Sequence, residues 1–307
     1  MRTSRRTIWI HLLLYPGHTL PTAAAPVLVA AGLAWRDGRF AAWPLALAFL
    51  GSWLIHVAGV FADNHELLRR HRGLAEHPEL TAAVDDGSLR LRTLRLAIAA
   101  CLVLAVACGI EPVRLGGGVA FALGVLGVAA SLGYAAGPRP YAALGLADPL
   151  FFAMFGIVAV AGAYGVQAAA QPGFVWTALP WRTFVLGLPV GCLVTAVLVV
   201  DDLRDRHFDA RKGWRTTAVR HGVAGSRREF VLLIAAGYLL PIAFWLGLGE
   251  PATVLLPLLT LPVAWSVVRA VRRFDSTRDL LPITPRTALL SLAFAALLAF
   301  GVAAGRP

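Results

Sequence analysis

Residues 183–222 read TFVLGLPVGCLVTAVLVVDDLRDRHFDARKGWRTTAVRHG, and the junction at Val200–Asp201 decides what kind of protein this is. Thr183 to Val200 form an apolar run of membrane length. It stops abruptly at Asp201, Asp202, Asp205 and Asp209. Continued as a helix, positions 201, 205 and 209 fall at i, i+4 and i+8 on one face, with Asp202 beside the same stripe. Four carboxylates at the end of a membrane-length helix repel one another, and hydrocarbon penalises each of them. A hard divalent cation that bridges to phosphate relieves both costs, because Mg²⁺ takes carboxylate oxygens, water and substrate phosphates. Arg204, Arg206, Arg211, Lys212, Arg215 and Arg220 are threaded through the segment and have the chemistry to grip a diphosphate. A solvated loop of mixed charge is the competing reading. It gives no reason for acids to gather at a membrane edge.

Outward from this junction, the chain is 58% hydrophobic with a mean hydropathy of +0.70, which excludes an ordinary soluble domain. Stretches long enough to cross a bilayer lie at about 19–36, 42–61, 93–110, 115–135, 149–169, 183–200, 229–248, 251–269 and 287–304. They predict an all-α membrane protein of nine transmembrane helices forming one integral membrane domain, 1–307. The N-terminus is basic (Arg2, Arg5, Arg6), but no small-residue cleavage site follows a short apolar core, so no cleavable signal peptide is expected. Cys101, Cys108 and Cys192 fall inside spans without the spacing of a metal site and read as small buried hydrophobes.

The net charge of +11 raises the question of a nucleic-acid partner, and its distribution answers it. With nine spans, all of the 28 Lys and Arg residues except Arg36, Arg39, Arg114, Arg182 and Arg306 share the side of the N-terminus. That side is cytoplasmic by the positive-inside rule, and no nucleic acid is needed to explain the charge. Of the 17 acidic residues, only Asp37, Glu111 and Glu250 lie on the other side. Acids carry little topological information, so a metal-dependent site on the cytoplasmic face is the cause to look for.

A second acidic pair follows span 2: Asp63 and Glu66, at i and i+3. It stands on the same side as the first cluster and about four spans before it. This predicts two parallel four-helix halves, 1–148 and 149–286, with a ninth helix at 287–304. Facing clusters in such a bundle can hold Mg²⁺ ions around a diphosphate. The loop 62–92 carries Arg69, Arg70, Arg72, Arg90 and Arg92 with Glu76, Glu79, Asp85 and Asp86, and is long enough for a short helix over the cluster. His65, His71, His77, His207 and His221 lack a zinc pattern and read as interfacial. Gly137-Pro138-Arg139-Pro140 breaks the fourth span and leaves Tyr134 and Arg139 near the same edge.

Together these residues resemble the UbiA superfamily of intramembrane prenyltransferases, most closely its MenA type, the dihydroxynaphthoate polyprenyltransferases. The resemblance runs from about residue 16 to 304. Its most specific part is Asp205-x-x-x-Asp209-x-x-x-Gly213-x-x-Thr216-x-Ala218-Val219-Arg220-x-Gly222. Thr19-Leu20-Pro21, Gly137-Pro138-Arg139-Pro140 and Gly162-x-Tyr164-x-Val166-Gln167 add weaker matches. The resemblance implies a bundle with a central, lipid-accessible cavity. It also implies Mg²⁺-dependent transfer of a polyprenyl group from its diphosphate to dihydroxynaphthoate. Asp63, Glu66, Asp205 and Asp209 would be the catalytic metal ligands, with Asp201 and Asp202 alongside where the type usually has Asn. Arg70, Tyr134, Arg139, Arg204 and Lys212 would contact the diphosphate. The first motif departs from the type: Gly59 and Ala62 replace Asn, Glu66 replaces Asp, and His18 stands in the place of a basic residue. Three other functions compete: a UbiA-type terpene cyclase, an aromatic prenyltransferase of secondary metabolism, and a transporter of an anionic lipid or metal. The near-absence of polar residues deep in the spans disfavours the transporter.

Overall fold

The computed structural model describes residues 19–70 and 78–305. The basic N-terminus with Arg2, Arg5 and Arg6, the entry at Pro16–His18, and His71, Arg72, Glu76 and His77 lie outside them. The described residues are helical, with no strand among them. We label the helices α1 (Thr19–Arg36), α2 (Ala42–Arg70), α3 (Pro78–Asp85), α4 (Leu91–Gly133), α5 (Ala147–Ala168), α6 (Leu188–Lys212), α7 (Thr217–Gly247), α8 (Ala252–Arg273) and α9 (Ile283–Ala304). Seven helices of the described chain are long and apolar enough to cross a membrane, and the protein is a multi-pass membrane protein.

Three departures from the sequence expectation have local causes. Spans 93–110 and 115–135 form one 43-residue helical element, α4, broken at Gly117 with φ 62° and ψ −148°. A side chain there is strained, so Gly117 is where the chain bends. The limb before it sets Leu94 against Phe61 and Leu68, and Ala105 and Cys108 beside Gly51 of α2. The limb after it brings Ser131 back to Gly59 and to the Ile55 carbonyl, at 2.7 Å. The two limbs therefore run in opposite directions along α2. Second, α2 and α6 each extend well beyond their apolar runs, because acids and bases at i, i+3 and i, i+4 pair along them. Third, α5 contains a π-helical stretch, Phe152–Val158. π-Bulges are frequent at functional sites, and this one sets Phe151 and Phe155 side by side, rings 5.1 Å apart.

The centre of the bundle is α6. Its apolar half is hydrophobic all round and buried on nearly all sides, as a helix of that composition must be. It packs on α5, α7 and α9, and α9 closes back onto α1. Lipid is as apolar as leucine, so close backbone approach supplies much of the attraction between such helices. Gly156 of α5 meets Gly187 and Gly191 at the start of α6 so closely that a Cβ at Gly187 would overlap the Gly156 carbonyl oxygen. At the end opposite the Asp-rich stretch, buried Glu250 accepts from Arg36 (2.5 Å) and Arg182 (2.7 Å), tying α1 to the α7–α8 connection and to the start of the α6 segment. Breaking such a buried pair leaves an uncompensated charge.

The glycine contact gives a direct test. Gly187→Val should lower the thermal unfolding midpoint in detergent, by the equivalent of at least about 1–3 kcal/mol of overpacking. Gly118→Ala, where nothing lies within 4 Å of the added atom, should leave it within error of the parent. Equal midpoints for the two would refute close α5–α6 packing.

Candidate active site

The Asp-rich stretch stays helical with three of its four acids, Asp201, Asp205 and Asp209, paired to a cation on the same helix. Arg204 donates Nε and Nη2 to the two oxygens of Asp205, at 2.7 and 2.6 Å, and Nη1 to Asp201 at 2.6 Å. Thr284 of α9 also donates to Asp201, at 2.8 Å. One turn on, Lys212 pairs with Asp209 at 3.0 Å while its ammonium lies over the rings of Trp214 (3.5 Å) and Phe208 (4.3 Å). Arg211 and Lys212 in the last turn suit the negative end of the helix dipole. Gly213, left-handed at φ 76°, ends the helix, and the Trp214 amide returns to the Asp209 carbonyl at 2.9 Å. That turn swings Trp214 back toward Tyr134, with rings 6.4 Å apart.

These side chains close one end of a cavity of about 460 Å³ framed by α1, α2, both limbs of α4, α5 and α6. Asp63, Asp201, Asp202, Asp205, Asp209, Arg204, Lys212 and Tyr134 all line it. Both acidic motifs converge: the carboxylates of Asp202, Asp63, Asp209 and Asp201 all act electrostatically on the Tyr134 hydroxyl. Tyr141 and Phe151 stack edge-on or tilted against Tyr134, at 5.6 and 5.8 Å, making an aromatic wall beside the acids. Burial pushes the Tyr141 phenol far above its ordinary value, so it stays a neutral hydroxyl. Below this rim the walls are apolar, from Leu47 and Ala48 on α2 to Met154 and Val158 on α5.

Three expected residues are placed elsewhere. Glu66, at i+3 from Asp63, does not line the cavity; Arg69 and Arg70 hold it, each at 2.7 Å, with His65 at 3.3 Å. Arg70 also reaches the Gly137 carbonyl at 3.4 Å, so it ties α2 to the loop after α4 rather than entering the cavity. Arg139 on that loop is exposed. For Glu66 and Arg70 the cause is shared: with Arg69 and Arg70 one turn after Glu66, an ion pair at the helix surface outcompetes a turn inward. Gly59 lines the cavity but packs on Ser131, whose hydroxyl an added Cβ would overlap, while Ala62 is buried outside the lining. The expected short helix over the cluster is α3, whose Leu80 reaches the cavity. Sequence reasoning missed His56, Asn64, Tyr141, Phe208 and Trp214 as lining residues. Helical spacing on α2 (56, 59, 60, 63, 67) would have found His56, and Asn64 and Phe208 lie on α2 and α6 beside Asp63 and Asp209; Trp214 and Tyr141 depend on the turn at Gly213 and the loop at 134–147.

The residues suit a hard divalent cation. The donors are all carboxylate oxygens, and Oδ2 of buried Asp202 has no hydrogen-bond partner. Among the described residues, no three His, Cys, Asp or Glu side chains stand close enough to hold an ion alone. A cation there would need water or substrate phosphate oxygens to complete its shell.

A multi-pass bundle with an apolar cavity ending in carboxylates and cations is the frame of an intramembrane enzyme acting on an apolar chain with an anionic head. Residues 23–283 match the UbiA prenyltransferase family, and the chain belongs to it. It is 31% identical to the 1,4-dihydroxy-2-naphthoate octaprenyltransferase of Mycobacterium leprae over 293 residues, 90% of each chain. It is 26% identical to the enzyme of that name from Haemophilus influenzae, over 94% of this chain and 93% of that one. Among solved structures, the fold is similar to the apo form of a UbiA homologue from Aeropyrum pernix, with TM-score 0.65 at 20% identity over 93% of this chain and 97% of that one. It is also similar to a UbiA homologue from Archaeoglobus fulgidus bound to DMAPP and Mg²⁺, with TM-score 0.55 at 16% identity over 92% and 98% of the two chains.

The placements separate the two acids of the first motif. Asp63→Asn should lower prenyl transfer by about 10²-fold or more, the scale of a lost electrostatic group at a reacting centre. Glu66→Gln should cost less than about 10-fold. Equal losses in a steady-state assay would put Glu66 back at the reacting centre.

Proposed function

We propose that the protein transfers a polyprenyl group from its diphosphate to 1,4-dihydroxy-2-naphthoate, with Mg²⁺ as cofactor. The observation that carries this is the meeting of Asp63 with the Asp201–Asp209 stripe, Arg204 and Lys212 at one end of an otherwise apolar cavity. A polyprenyl tail is retained by the apolar walls and by lipid, each buried methylene contributing about 0.8 kcal/mol. Its diphosphate meets the charged end. Bound Mg²⁺ supplies neutralisation of the charge that develops on the leaving diphosphate. Asp63, Asp201, Asp202, Asp205 and Asp209 are the oxygens that would hold it. Arg204 and Lys212 exchange their carboxylate partners for diphosphate oxygens, so charge balance is kept as the substrate enters. The C1–oxygen bond breaks with its electron pair on diphosphate. The aromatic wall of Tyr134, Phe151 and Phe155 shields the allylic cation from water. A ring carbon of the acceptor then supplies the pair for the new C–C bond, and the attacked carbon loses the proton or carboxyl group it carried.

Purified protein with Mg²⁺, polyprenyl diphosphates of several lengths and 1,4-dihydroxy-2-naphthoate should yield a prenylated naphthalene and diphosphate in equal amounts. Asp205→Asn, which keeps size and removes one charge, should abolish turnover with an unchanged unfolding midpoint. A cyclised hydrocarbon formed without acceptor would move the protein to the terpene cyclases instead.

The reading also sets the topology. α1, the two limbs of α4 and the remaining long helices would make nine spans, with the N-terminus and the acidic end of the cavity in the cytoplasm, where the Lys and Arg excess lies. Single cysteines at positions 70 and 211 should react with a membrane-impermeant thiol reagent from the cytoplasmic face only. Labelling from opposite faces would sink the model of one two-motif site.

A further inference from the structure

His56 sits in the middle of α2, seven residues before Asp63, and lines the cavity. Seven residues of helix place it about 10 Å deeper than Asp63 on the same face, since 56, 59/60, 63 and 67 follow the helical repeat. Its ring lies against Phe155 of the π-helical stretch, centroids 5.5 Å apart. Below the rim, the polar side chains of the described lining are Thr22, Ser52, His56 and Ser131. Thr22 donates to the Thr19 carbonyl at 3.2 Å and Ser131 to the Ile55 carbonyl at 2.7 Å, each within the protein's own backbone. Among the described residues, His56 is the one titratable side chain of that apolar portion. An ionisable residue inside the membrane is costly, and it is retained as a rule where it serves a substrate.

We propose that His56 is a specificity-determining residue for the aromatic acceptor, hydrogen-bonding a ring hydroxyl from the apolar side of the cavity. The inference rests on the prenyl-transfer reading and names which residue of that site reads the acceptor. The diphosphate occupies the acidic end, so the allylic carbon lies just below it, toward the apolar walls. A ring carbon must stand about 3–3.5 Å from that carbon to attack it. The rest of the ring, with its hydroxyls, then extends deeper, to the level of His56. The imidazole both donates and accepts, which suits a phenolic hydroxyl. Phe155 beside it offers a face for the ring to pack on. A site that hydrogen-bonds a substrate hydroxyl discriminates against an analogue that lacks it.

The test compares the parent with His56→Leu and His56→Gln, full chains in detergent micelles, against three acceptors: 1,4-dihydroxy-2-naphthoate, 1-hydroxy-2-naphthoate and 4-hydroxy-2-naphthoate. His56→Leu should raise the acceptor KM about 10-fold while the polyprenyl diphosphate KM stays within about 2-fold. One of the two monohydroxy acceptors should be weak with the parent and lose nothing further in His56→Leu, which identifies the hydroxyl that is held. His56→Gln, which keeps a donor and an acceptor, should recover part of the loss. Binding of 1,4-dihydroxy-2-naphthoate, followed by its own fluorescence, should weaken in His56→Leu by the same factor without any turnover. The proposal is overturned if the hydroxyl deletions and the His56 change are simply additive, or if donor and acceptor KM rise together. It is equally overturned if Gln is no better than Leu. A parent that neither binds nor prenylates the naphthoate would overturn the prenyl-transfer reading itself, and this inference with it. Turnover and binding untouched by His56→Leu would overturn this inference alone.

Discussion

The repulsion among the carboxylates of α6 is the constraint on which the rest of the structure depends. Asp202 and Asp209 are buried, and Asp201 and Asp205 flank them on the same helix, at the end of a span with apolar neighbours on nearly every side. Unbalanced, that stack would not survive at a membrane edge. Arg204 spans Asp201 and Asp205, and Lys212 answers Asp209. The remaining Asp202 oxygen has no protein partner. The site is thus held together by cations of the chain that are chemically suited to leave for a diphosphate.

The geometry of the bundle follows from serving that stack. α6 carries its acids to a fixed depth because its apolar half is locked by α5, α7 and α9, with glycine contacts at Gly156, Gly187 and Gly191 that permit no slack. The doubled-back α4 supports α2 along both limbs and so fixes Asp63 opposite. The Arg36–Glu250–Arg182 cluster closes the other end. Gly59, which departs from the usual motif, is where the returning limb of α4 comes closest to α2. A larger residue would force Ser131 aside, so this position is committed to packing.

The sequence by itself determined the class of structure and the main half of the candidate site's lining. Apolar runs of membrane length leave the backbone no alternative to helix, and four acids ending one such run leave few alternatives to a cation site. Matching i, i+3 and i, i+4 spacing made the stripe 201–205–209 readable, and it lines the cavity as spaced. Tertiary structure alone decided what competes for each side chain. Spacing put Asp63 and Glu66 on one face, but Arg69 and Arg70 draw Glu66 to the helix surface, and only Asp63 is left inside. Trp214 and Tyr141 lie in loops whose course depends on the left-handed turn at Gly213 and on packing against Tyr134, which no local pattern encodes. Arg139 lies close to Tyr134 in sequence yet faces water, because a Pro-Gly loop fixes no direction until the bundle has formed around it.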